Sequence, residues 1–260
     1  MKQHLVVIKL GGGLITDKTI PLTTRPQFIE LFASELKSLR ENHKNTGFLV
    51  GNGAGSFGHF AAHKYGLRQG AKDANQFYGM CLAHNGVHQL NNLVVASLNN
   101  KNIPAFAASP SLLFTSRNSE INTQHLEPIL HLLGNNCVPV LHGDTICDSI
   151  LGTKVFSTEQ ALMACIQVLK NHYKKITVIY LLVTNGVLDK NGKTIAQLKP
   201  TDQIFIHSDL RHDVTGGITG KITSARQAAA LVDSVYLLDG TVPNQMQQAL
   251  TSGAVGTIVR

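Results

Sequence analysis

Apolar residues in this chain gather in short runs separated by stretches with helical spacing. Runs at 4–10, 47–51, 103–108, 137–142, 176–183, 234–238 and 255–259 read as strands. Several are too continuously apolar to leave one face in water, as in buried parallel sheets. Between the first two runs, Phe28, Leu31, Phe32, Leu36 and Leu39 repeat at i, i+3/i+4, which predicts an amphipathic helix ahead of the polar Arg40 to Asn45. The same spacing predicts helices over 75–99, 124–134, 159–171 (with Ser157 or Thr158 as N-cap) and Lys221 to Leu231. Regular strand–helix alternation predicts the α/β class, a three-layer α/β/α sandwich on a largely parallel sheet. Two segments break the alternation and read as β-hairpins. One is 144–157, turning near Leu151–Gly152; the other is 187–198, with Asn191–Gly192 as a type I′ turn signal. No linker, repeat or low-complexity tract divides the chain, so 1–260 is expected to be one domain with two halves, about 1–143 and 144–260.

Composition narrows the class. At 260 residues, 43% hydrophobic and 15% charged, the chain suits a soluble globular protein with ample core. The longest apolar run, Ile176 to Val183, is far short of a membrane span. The opening Met1-Lys-Gln-His moves straight into a strand without a secretory h-region, so a cytoplasmic location is expected. Cys81, Cys137, Cys147 and Cys165 are scattered and read as free thiols, with Cys137 and Cys165 buried. Twelve histidines include no H-E-x-x-H pair, and His43, His84, His88, His125 and His172 are expected in solvent; no protein metal site is read from the sequence. The net charge of +7 comes without basic runs beyond Lys174–Lys175 and without tryptophan, which argues for a small anionic substrate rather than nucleic acid.

Three glycine clusters carry the candidate chemistry. Lys9-Leu-Gly-Gly-Gly13 follows the first strand, and Gly51-Asn-Gly-Ala-Gly-Ser-Phe-Gly-His59 follows the second. Asp213-Val-Thr-Gly-Gly-Ile-Thr-Gly-Lys221 opens the last long helix. Glycine lets backbone N–H groups approach a ligand closely, and such nests at helix starts bind phosphate. Gly53 to Gly58 spells G-x-G-x-x-G, but Asp73, at the spacing of a ribose-binding acid, lies in no strand pattern. Gly216 to Lys221 is one residue short of a Walker A loop, with Ile222 where Ser or Thr would hold magnesium. Clustered cations and glycines therefore point to a polyphosphate site of another kind.

These motifs, with Thr16-Asp-Lys18, Val138-Pro-Val-Leu-His-Gly-Asp144 and His212-Asp-Val-Thr-Gly-Gly217, resemble the amino acid kinase superfamily. Within it they are most similar to the isopentenyl phosphate kinases, from the first strand to about residue 225. A histidine at position 59 marks the phosphate-accepting subgroup, which the fosfomycin kinases share. The resemblance implies an ATP- and Mg²⁺-dependent phosphotransferase acting on isopentenyl phosphate, and a homodimer. It implies an acceptor-binding N-terminal half and a nucleotide-binding C-terminal half. It also implies catalytic roles for Lys9, Lys18, His59 and Lys221. Nucleotide contacts fall on Lys9, Gly11, Gly12, Gly13, Gly55, Thr184, Gly186, Gly216, Gly217 and Lys221. Acceptor contacts fall on Ala54, Gly55, Gly58, His59, Asp144 and Thr158. Asp144 would orient lysines or hold magnesium through water, and Phe77, Met80, Cys81 and Ile146 are expected either to line an apolar acceptor slot or to be ordinary core.

The chain departs from the family pattern at three places. Ser157-Thr158-Glu159 stands for Ser-Gly-Asp, Leu182-Val-Thr-Asn-Gly-Val-Leu188 lacks the acids of the usual nucleotide loop, and Gly13 replaces a common serine. Two alternatives stay open on these grounds: a kinase of another small phosphate or phosphonate such as fosfomycin, and a nucleotide-binding regulator without turnover.

Overall fold

A strand that is apolar at both parities must be covered on both faces, because successive side chains point to opposite sides. In the computed structural model, which describes residues 2–199, 201–202, 217–253 and 255–260, β1 (His4–Leu10) meets this condition. It sends Leu5 and Val7 into one core and Val6, Ile8 and Leu10 into the other. The chain continues through α1 (Gly12–Ile15), α2 (Pro26–Asn42), β2 (Thr46–Asn52), α3 (Gly55–Lys64), α4 (Ala74–Asn100), β3 (Ala105–Ala107), α5 (Pro110–Leu113), β4 (Phe114–Arg117), β5 (Glu120–Gln124) and α6 (Glu127–Gly134). It then forms β6 (Val138–His142), β7 (Asp144–Asp148), β8 (Gly152–Phe156), α7 (Thr158–Leu169), β9 (Lys175–Leu182) and β10 (Gln197–Leu198). The described chain ends with α8 (Gly217–Ala229), β11 (Ser234–Asp239), α9 (Gln245–Thr251) and β12 (Thr257–Val259).

Among the described residues the main sheet runs β10-β12-β11-β9-β1-β2-β6-β3, parallel except where β12 meets β11. Residues of α2, α4 and α9 cover one face, with Leu36, Leu90 and Met246 in the core. Residues of α6, α7 and α8 cover the other, with Ile129, Ile166 and Ala225. The expected α/β sandwich is therefore present. The long helix α4 opens on Asp73, whose carboxylate accepts from the Gln76 N–H at 2.8 Å. For α7 the cap is Ser157, which forms a reciprocal capping box with Gln160.

A second sheet, β5-β4-β7-β8, contains the hairpin expected at 144–157 together with a pair that the sequence pattern misses. Residues 120–124 form an exposed strand, so the helix expected over 124–134 starts only at Glu127, as α6. A two-residue turn with positive φ at both Asn118 and Ser119 joins β4 to β5, as type I′ geometry requires. The Asn191–Gly192 turn does not have that form. Gly192 has positive φ while Asn191 does not, the Asp189 carboxylate accepts from the Asn191 and Lys193 N–H groups, and Leu188 and Thr194 make a single bridge.

Asp148 knots the small sheet together. Its carboxylate accepts from the Ser116 hydroxyl and from the N–H groups of Asn118, Ser119, Ile150 and Leu151. Burial pushes this carboxyl up, and those hydrogen bonds hold it well below the usual range. Asp148→Asn turns one oxygen into a donor facing N–H or O–H groups. It is expected to cost about 1–3 kcal/mol, read as a lower urea midpoint with an unchanged m-value.

Candidate active site

The parallel strands β1, β2, β6 and β9 end together: Leu10 is paired with Asn52 and Leu181, and Asn52 with His142. Beyond these ends the hydrogen bonding continues through glycine. Gly11 N–H donates to Leu181 O at 2.9 Å, Gly53 N–H to Leu10 O at 2.9 Å, and Gly143 N–H to Asn52 O at 3.3 Å. The sheet grows from β1 in both directions, toward β2 on one side and β9 on the other. Open α/β sheets bind ligands in the crevice at such a switch point.

The first two glycine clusters meet here backbone to backbone. A Cβ on Gly12 would lie 2.6 Å from the Gly55 nitrogen, and one on Gly53 would lie 2.6 Å from the Gly12 nitrogen. Gly55 also has φ of +49°, and a Cβ there would strike the Thr16 hydroxyl. That hydroxyl accepts from Ser56 N–H at 3.1 Å and donates to Gly12 O at 2.7 Å, locking the two turns. Lys18 lies over Gly13: a Cβ there would stand 2.8 Å from the Lys18 Cε. The side chain of Lys18 thus uses the space that the family's common serine would need.

From Ala54, which has no capping side chain, α3 rises with its first-turn N–H groups at this junction, and His59 stands exposed on it. Gly58 is explained by packing: a Cβ would lie 2.7 Å from Val87 of α4.

Lys9 follows Leu5 and Val7 on the same face of β1, so the pleat delivers its ammonium to the floor of the crevice, where it is only 4% exposed. There its Nζ meets Glu159 Oε1 at 2.7 Å, at the first turn of α7. Burial pushes the Glu159 carboxyl up. The Lys9 charge and hydrogen bond, with a further contribution from the Lys221 charge, hold it below its ordinary value. The charge of Lys221, on α8, thus acts on the same carboxylate as that of Lys9. Tyr180, paired with Lys9 across β9, has its hydroxyl pushed up by burial and by Glu159. The sequence marks Glu159 only as a departure from the family pattern. Its setting, Thr158-Glu-Gln-Ala-Leu-Met163, reports an amphipathic helix and gives no hint of a lysine partner on the first strand. Gly217 begins α8, while His212 to Gly216 lie outside the described residues.

Other candidates take different places. The Thr158 side chain is buried, and its hydroxyl donates to Asn52 O at 2.8 Å, which leaves only its backbone for a ligand. Thr184 and Gly186 form the turn after β9, where Gly186 has φ of +74° and a Cβ would strike Thr257. Asp144 has its described partners in a histidine, a serine hydroxyl and two backbone N–H groups. It opens β7, buried, and accepts from His84 Nδ1 at 2.9 Å, Ser109 Oγ at 3.1 Å, and the Ser111 and Thr145 N–H groups. His84 and His88 are therefore half-buried and hydrogen-bonded rather than fully solvated, since His88 Nε2 also reaches Ser109 Oγ at 3.1 Å. Along the same side of α4, Phe77 packs on the β7–β8 turn at Gly152, and Met80 is half-buried. Ile146 is fully buried in the core with Phe114 and Phe156, and Cys81 is exposed. Cys165 is buried as expected, Cys137 only partly. Among the described residues, no helix is long and apolar enough to cross a membrane.

Comparison with known proteins agrees with this architecture. Residues 4–238 match the model of the amino acid kinase family. The chain is 27% identical to the isopentenyl phosphate kinase of Methanocaldococcus jannaschii over 97% of both chains. It is 28% identical to that of Arabidopsis thaliana, over 82% of this chain and 72% of the relative. A crystallised isopentenyl phosphate kinase superposes with a TM-score of 0.79 at 24% identity, covering 98% of this chain and all of the other, a likeness of fold. With glycine turns, crevice and family model in agreement over most of its length, the chain belongs to the amino acid kinase family.

Proposed function

We propose that the chain is an ATP-dependent isopentenyl phosphate kinase, moving the γ-phosphoryl group of ATP onto isopentenyl phosphate to give isopentenyl diphosphate. The observation that carries this reading is the locked pair of glycine turns after β1 and β2, with the Lys9–Glu159 pair beneath it and Lys18 alongside. Relatives that bear the isopentenyl phosphate kinase name match nearly the whole chain. ATP as its magnesium complex, a homodimer and a cytoplasmic location belong to the same reading.

An acceptor phosphate oxygen attacks the γ-phosphorus. A new P–O bond forms as the β–γ bridging P–O bond breaks, and ADP leaves with the electron pair. The acceptor is already an anion at neutral pH, so positioning and charge stabilisation do most of the catalysis. The Gly11–Gly13 turn and the Gly55 backbone hold the phosphates close. Lys9 and Lys221 face the β- and γ-phosphates, Lys18 meets charge on the transferring group, and His59 donates to the acceptor phosphate. Gly216, Gly217, Thr184 and Gly186 complete the nucleotide side, and Ala54, Gly58, Asp144 and the Thr158 backbone border the acceptor. Magnesium fits the phosphates, because Glu159 is engaged by Lys9 and the imidazoles around Asp144 do not suit an ion that prefers oxygen ligands.

The acceptor tail is assigned to the place where α4 meets the β7–β8 hairpin, beside Phe77 and Met80. A branched five-carbon tail gains its binding from burial, at about 0.8 kcal/mol per CH₂. Purified protein with ATP and magnesium, followed by ADP release, should prefer isopentenyl phosphate over short alkyl or polar phosphates by about one to two orders of magnitude. Equal or better turnover of fosfomycin would move the acceptor assignment elsewhere and leave the phosphate machinery standing.

A further inference from the structure

His84 and His88 are four residues apart on α4 and so share one face of the helix. Together with Asp144 they each offer one ligand atom, and the three atoms lie within 4.8 Å of one another. Their rings approach to 4.2 Å between centroids, and the ring of a third histidine, His142, lies 4.7 Å from His88. Three imidazoles thus crowd one carboxylate. That carboxylate is held in place from behind by the Ser109 hydroxyl and the Ser111 and Thr145 N–H groups. His142 is fully buried; its Nδ1 lies 3.1 Å from Gly143 O, and its Nε2 has no hydrogen-bond partner.

We propose that His84, His88 and Asp144 form a site for a borderline divalent cation of the zinc class, which ties α4 to the start of β7. Two imidazoles and a carboxylate are a donor set that such ions take. Magnesium prefers all-oxygen surroundings, so this site is separate from the ion that accompanies ATP. The bound cation replaces the proton that His84 and Asp144 share at 2.9 Å. Protein ligands fill three positions, and the His84 side chain is 39% exposed, which leaves a fourth position open to water. Ser109, Ser111 and Thr145 orient the carboxylate, as outer partners of metal ligands do.

The test uses full-length protein stripped with a chelator, without nucleotide or acceptor. Zn²⁺ is titrated by calorimetry, and Co²⁺ is titrated in parallel by its visible absorption. The expected result is one ion per chain, a zinc-dependent rise in melting temperature, and affinity lower by about 100-fold or more in both His84→Ala and His88→Ala. His125→Ala, at an exposed site, should bind like wild type. Melting of each metal-free variant checks its fold, and the wild-type titration decides the question even if a variant fails to fold. Absence of a stoichiometric site in wild type, or equal binding by wild type and a folded His88→Ala, overturns the proposal. Because no kinase substrate is present, the result stands apart from the acceptor assignment.

Discussion

Lys9→Met is expected to lower kcat/KM by about 100- to 1,000-fold, the usual cost of removing one preorganised charge from a reacting centre. The same change should destabilise the protein, because Glu159 then keeps its burial without its partner. Breaking a fully buried pair costs about 3–5 kcal/mol; with 21% of the Glu159 side chain exposed, the loss here should be smaller. Adding Glu159→Gln separates the two effects. The double variant should recover most of the stability, since no lone charge remains, while turnover stays low. Recovery of turnover would mean that Lys9 serves only to neutralise Glu159.

The pH dependence of stability carries the sign of this pair. In the wild type the Glu159 carboxyl lies below its ordinary value, so its contribution is present above the unfolded pKa and is lost as pH falls through the folded one. Without Lys9, burial prevails and pushes the carboxyl up. The group then favours the folded state at low pH, and that advantage fades as pH rises. Chemical denaturation of wild type and Lys9→Met across the acidic range should therefore show opposite trends for this contribution. Parallel profiles would show that Lys221 alone holds the carboxylate ionised.

Local patterns in the sequence carried the main sheet, because its evidence lies within short windows. The Phe28-to-Leu39 stripe is α2, and the glycine clusters stand at the ends of β1 and β2, where strands give way to turns. Features made by distant partners were harder to read. His84 and His88 look like polar helix positions until Asp144 arrives from 60 residues downstream. The strand Glu120–Gln124 is exposed throughout and has no apolar alternation; its pairing comes from the Asn118–Ser119 turn and from Asp148. Lys9 was legible as a cation beside glycine, but its pairing with Glu159 depends on how α7 packs over β2. Gly51 permits that packing, since a Cβ there would lie 2.7 Å from the Thr158 methyl.

His59→Ala should reduce kcat/KM for the acceptor by roughly 10- to 150-fold, the loss of a charge-assisted hydrogen bond worth about 1.5–3 kcal/mol. If the nucleotide is held from the β1 turn and α8, as proposed, the effect should fall on acceptor KM and kcat, with little change in ATP affinity. Stability should hardly change. His59 is exposed on α3, and Gly58 of that helix packs on Val87 of α4. His59→Gln still donates a hydrogen bond and should keep more activity than alanine. A general loss of folding would lower both variants together and would appear in their melting curves. Wild-type acceptor kinetics in a folded His59→Ala would remove the imidazole from the acceptor site and leave the α3 N–H groups and Lys18 to hold that phosphate.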